Sequence, residues 1–119
     1  MTQKEITIGG QTYPVVFNFD AMMIFEEVAD KQFFKANFEH MKDRMSLVFA
    51  AALAADEKTT LTIQKMKDDG SFDAVREVIE AFNIVMTLTG EFFKVPVVVA
   101  EEEKSENQPD EKAPEEAKN

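Results

Sequence analysis

The chain has no cysteine. That excludes disulfides, thiolate catalysis and cysteine-held iron–sulfur clusters, and it fits a reducing compartment. There is one histidine, His40, so a multi-histidine metal site within one chain is excluded too. Gly-rich phosphate loops and Gly-x-Ser-x-Gly elbows are missing. Positive charge is scarce: 13 Lys and Arg face 23 Asp and Glu, a net charge of −10 at pH 7. Such a field repels phosphate backbones, so no nucleic-acid partner is expected. No apolar run reaches the roughly 18 residues a membrane-spanning helix needs. No basic start leads into an apolar stretch, so no secretory signal is expected.

What remains is apolar and aromatic. Hydrophobic residues make up 45% of the 119 residues, and eleven are Phe. One domain with one modest core is expected over residues 1–100. Residues 101–119 differ abruptly: eight acids, three Lys, two Pro and no large apolar side chain. A segment of that composition cannot offset chain entropy by burial, so a disordered acidic tail is expected. Half of the net charge lies in it.

The fold class expected is α+β and mainly α: an N-terminal β-hairpin on a bundle of about four helices. Gly9-Gly10 between Glu5–Ile8 and Gln11–Phe17 supplies the positive φ angles of a tight two-residue turn. That turn pairs Ile8 with Gln11, Thr7 with Thr12, Ile6 with Tyr13 and Glu5 with Pro14. Ile6, Ile8, Tyr13, Val15 and Phe17 then share one face, which must lie on helices. A first helix is expected from Phe19 to about Asp30, capped by Asn18. Met22, Phe25 and Ala29 form its inward stripe. A second is expected after Asn37, with Phe38, Met41, Met45, Val48, Phe49, Ala52 and Leu53 inward. Ala50, Ala51, Ala54 and Ala55 let another helix approach. Thr62 caps a short helix from Ile63 to about Asp69, with Gly70 as its stop. A last helix starts near Ser71 and buries Phe72, Val75, Val78, Ile79, Phe82, Val85 and Met86, with Gly90 or Lys94 as its end.

Candidate chemistry is thin. His40 lies out of phase with the apolar face of the second helix and reads as a surface residue. Glu39 with Asp43, and Glu77 with Glu80, share helix faces; Lys42 and Arg76 beside them make solvated surface the expected reading. Asp68-Asp69-Gly70 lacks calcium-loop spacing. No catalytic residue, cofactor or metal is expected, and the chain reads as a non-enzyme.

Candidate contact residues are apolar. Met22 and Met23 are adjacent, so one faces away from the core, and Met23 is the candidate for a contact surface. Phe33-Phe34 lies in a connector, and Phe92-Phe93 lies past a candidate helix stop. Core burial is the favoured reading of both pairs; if exposed, they form a patch typical of protein-binding sites. Val95 to Val99, with Val97, Val98 and Val99 at its centre, has three readings: a third strand on the hairpin, a segment that docks on a partner by strand addition, or a linker. The third strand is favoured, because a two-stranded sheet is poorly self-sufficient.

The run Ile6-Thr7-Ile8-Gly9-Gly10-Gln11-Thr12-Tyr13-Pro14-Val15, then Phe17-Asn18-Phe19-Asp20-Ala21-Met22 and Phe25-Glu26-Glu27, resembles the opening of tail assembly chaperones of long-tailed bacteriophages and prophages. The Ala-rich helix end Leu47–Ala55, the Thr60-Leu61-Thr62-Ile63 start of a short helix and a last amphipathic helix continue the resemblance over residues 5–93. The motifs are structural, not chemical. The resemblance implies a non-enzymatic role in virion assembly in the host bacterial cytosol. The implied partners are the long helical tape measure protein, held soluble, and tail tube subunits, recruited to it; no membrane is involved, and homo-oligomers are compatible. In many such phages a ribosomal frameshift yields a longer product, and a chain this short matches the short form or a single-form variant. Two readings from other classes compete: an acidic DNA mimic that inhibits a nucleic-acid-binding protein, and another phage component such as a head–tail connector.

Overall fold

The computed structural model describes residues 2–68 and 72–94. The expected tail and the Val95–Val99 run lie outside them, as do Gly70 and Ser71. The elements are β1 (Lys4–Ile8), β2 (Gln11–Val15), α1 (Phe19–Ala29), a 3-10 turn (Phe33–Lys35), α2 (Met41–Ala55), α3 (Ile63–Asp68) and α4 (Phe72–Phe93).

The hairpin forms in the expected register, extended by one pair, Lys4 with Val15. Gly9 and Gly10 have φ of +61° and +80°, as a type I′ turn requires. All five residues of the expected inner face are buried. β1 lies against α4 and β2 against α2, so the hairpin's greasy face is covered by two helices. Gly9 N–H donates to Glu77 Oε1 at 2.9 Å, fastening the turn to α4.

α2 is the central element, packing on α1, α4, β2 and α3. Ala50, Ala51 and Ala52 are fully buried. Their small side chains let the hairpin strand come close enough for Val16 N–H to donate to the Ala51 carbonyl at 3.2 Å. Phe25, Leu47, Leu61, Val78 and Val85 complete the core around it. Each large apolar side chain buried this way contributes about 1.5–3 kcal/mol.

Three expectations need correction. α2 begins at Met41, not after Asn37. Asn37 Oδ1 instead accepts from Glu39 N–H at 3.0 Å, a local turn that competes with helix there. The inward face of α2 also differs: Asp43, Ser46 and Leu47 are buried, while Met41, Met45, Phe49 and Leu53 are only half-buried. Of the two ends expected for α4 the later one is observed, the helix running through Gly90 to Phe93. Buried Leu88 and half-buried Phe92 and Phe93 around it offset the roughly 1 kcal/mol that glycine costs a helix. Val75, expected inward on α4, is exposed.

Candidate functional site

Two capping arrangements decide which phenylalanines face water. Asn18 Oδ1 accepts from Ala21 N–H at 2.8 Å, which fixes the first turn of α1. Phe17, just before the cap, is thereby driven inward at 2% exposure, and Phe19, just after it, outward at 68%. In the connector, Phe33 N–H donates to Glu26 Oε2 at 2.9 Å, hooking the 3-10 turn onto α1. Phe33 is buried, and Phe34 stands out at 77% exposure.

These rings meet the end of α4. Phe19 and Phe92 centroids are 5.3 Å apart, Phe92 and Phe93 5.1 Å, and Phe93 and Phe34 5.9 Å. Such edge-to-face and tilted contacts are favourable beyond area burial. The inner rings of Phe17 and Phe33 lie beneath, at 5.3 Å from Phe92 and 6.3 Å from Phe93. The result is an aromatic end: Phe19 and Phe34 exposed, Phe92 and Phe93 half-buried, Phe17 and Phe33 in the core. Met23 follows Phe19 by one turn on the same face of α1 and is 60% exposed. The exposed apolar surface therefore continues along α1.

Beyond Met23 lies a groove of about 680 Å³ between α1 and the C-terminal end of α2. Ile24, Leu53, Ala54 and Ala55 line it, all half-buried. Asp20, Glu27 and Glu57 also line it, and all three are exposed.

Of the contact residues read from sequence, Met23 and Phe34 are on the surface and Phe92 and Phe93 at its edge. Phe33 drops out as a contact residue and lies in the core, where Phe17, Phe25, Phe38 and Phe93 surround its ring. Val97, Val98 and Val99 lie outside the described residues. Phe19 and the groove were missed. The i, i+4 spacing of Phe19 and Met23, opposite Phe25 and Ala29, was the signal for them.

The polar groups offer little chemistry. His40 is exposed at the N-terminal boundary of α2, with Nε2 3.5 Å from Asn37 Nδ2. Asp43, expected on the surface, is corrected to the interior, with 1% exposure. Its Oδ2 takes the Lys31 ammonium at 2.9 Å and the Asn37 N–H at 2.8 Å. Burial is the largest single influence and pushes this carboxyl up. The Asn37 bond, the Lys31 bond and the charges of Lys31 and His40 together outweigh it, so the pKa is lowered. This bond set ties the connector to α2. Among the described residues no group of three His, Asp or Glu could hold a metal, and no helix is long and apolar enough to cross a membrane.

The chain matches no protein-family model, no curated protein and no solved structure.

Proposed function

We propose that this protein is a non-enzymatic assembly chaperone of the phage tail type. It covers the apolar stripe of a tape measure protein and helps bring tail tube subunits to it. The observation that carries the reading is the exposed aromatic end. Phe34 and Phe19, at 77% and 68% exposure, are the two most exposed large apolar side chains of the described residues. They are bridged by Phe92 and Phe93 on a rigid core. Aromatic anchors on a preorganised base are what protein interfaces use for most of their affinity. The net charge of −10 adds repulsion between loaded complexes, which keeps a greasy cargo dispersed.

The DNA-mimic reading is less favoured. Asp43 is buried and Glu77 is held by the hairpin turn, so two acids of the body leave the array that would imitate phosphates.

Co-expression with a phage tape measure protein is the test. A tape measure protein that becomes soluble and co-purifies with the wild-type chain, but not with Phe34→Ser/Phe19→Ser, is the expected result. Unchanged solubility with no co-purification would refute the proposal.

A further inference from the structure

The groove between α1 and the end of α2 has a chemistry of its own. Its half-buried lining is aliphatic, from Ile24, Leu53, Ala54 and Ala55, with exposed Met23 beside them. A small-molecule site needs a few convergent polar groups to orient its ligand. Here the charged groups are all exposed carboxylates. An added β-strand needs a free sheet edge. Both walls are helices, which present no strand edge of alternating free N–H and C=O groups. A third helix, laid between the two, can bury an apolar stripe there without leaving a polar group unpaired.

The electrostatics specify the flanks of that helix. Asp20, Glu27 and Glu57 line the groove, and among the described residues no cation does. None of the three makes a salt bridge among the described residues. α1 and α2 have no basic residue in their last turns, and Lys31, just beyond α1, is held by Asp43, so no cation within either helix offsets its negative end. Glu27 sits in the last turn of α1, and Glu57 just beyond the end of α2. Acids at those positions work against their own helices, and cations from a partner would relieve them.

We infer that this groove seats an amphipathic helix whose apolar stripe is flanked by Lys or Arg. The inference deepens the chaperone reading, and rests on it for the partner being a long helix. Residues 101–119 of the chain itself make a poor occupant, because their acids outnumber their lysines and would meet like charge.

The test uses the full chain and two synthetic helical peptides. The peptides share one Leu/Ala stripe and differ only in Lys or Glu flanks; binding is read by fluorescence anisotropy. The Lys-flanked peptide should bind, the Glu-flanked one should not, and raising salt should weaken the complex. Glu27→Lys/Glu57→Lys should weaken binding about tenfold. Glu5→Lys/Glu39→Lys, with the same change of charge at exposed sites outside the groove, should change it less than about twofold. Met23→Glu should abolish binding. Circular dichroism confirms that each variant is folded.

Equal binding of both peptides, or equal loss in the two charge-reversed pairs, overturns the inference. So does a dimer in sedimentation that Met23→Glu dissolves, because the groove would then hold a second copy. The two readings fail separately. If Glu27→Lys/Glu57→Lys still solubilises the tape measure protein as well as wild type, the groove inference falls and the chaperone stands. If wild type solubilises nothing while the peptide discrimination holds, the chaperone reading falls and the groove's preference stands.

Discussion

The ammonium of Lys31 and the buried carboxylate of Asp43 are 2.9 Å apart, joining the residues just after α1 to the first turn of α2. Asp43 Oδ1 has no hydrogen-bond partner among the described residues, so the carboxylate depends on what Oδ2 receives. Asp43→Asn should therefore destabilise the fold by about 1–3 kcal/mol at neutral pH. Because the folded-state pKa is lowered, this contribution is fully present above the unfolded-state value of about 4 and is lost as pH falls through the folded one. Urea denaturation at neutral pH and at about pH 3 checks this. The wild type should lose more stability than the variant on acidification, and an equal loss would contradict the account.

Asp30 ends α1 in the left-handed conformation, with φ 60° and ψ 45°. That region favours glycine, and Asp pays for its Cβ there. Asp30→Gly should raise stability by about 0.5–1 kcal/mol. It also removes a negative charge from the negative end of the helix. A lower unfolding midpoint in the variant would show that the Asp30 side chain has a role the backbone geometry does not reveal.

Ala51 is fully buried where Val16 meets α2. Ala51→Leu should cost about 1–3 kcal/mol by overpacking. Hydrogen exchange should locate the damage: the hairpin amides ought to lose protection before those of α4. Uniform loss would mean that the hairpin and helices open as one unit.

Phe34→Ser and Phe19→Ser remove exposed rings that keep contacts to Phe92 and Phe93, so each should cost no more than about 1.5 kcal/mol. Phe25→Ala, at a fully buried ring, should cost about 3–5 kcal/mol. Chemical denaturation separates the two classes. A large loss at Phe34 would mean that this ring supports the fold and is not held out for a partner.

The hairpin was legible residue by residue, because a Gly-Gly turn sets the register and the two-residue period then assigns every side chain to a face. The Asn18 and Thr62 caps were legible for a similar reason: both side chains accept the backbone N–H three residues on, a purely local bond. Asp43 was not legible. Its burial depends on Lys31 twelve residues earlier and on a loop amide, neither of which appears in the periodicity of α2. The fates of Phe33 and Phe34 were equally hidden. Adjacent residues in a 3-10 turn diverge, and which one turns inward was decided by the Glu26 bond to the Phe33 amide. Gly90 left two ends open for α4, because propensity marks a stop there and the packing of its neighbours overrides it.

Thr2 and Phe92 line the same small cavity, with Phe17 and Leu88, so the approach to β1 and the exit from α4 converge on the aromatic end. The chain has no cysteine. Thr2→Cys would therefore give a unique thiol for a fluorescent label beside the rings, and a bulky fusion joined directly there would crowd the surface it was meant to observe.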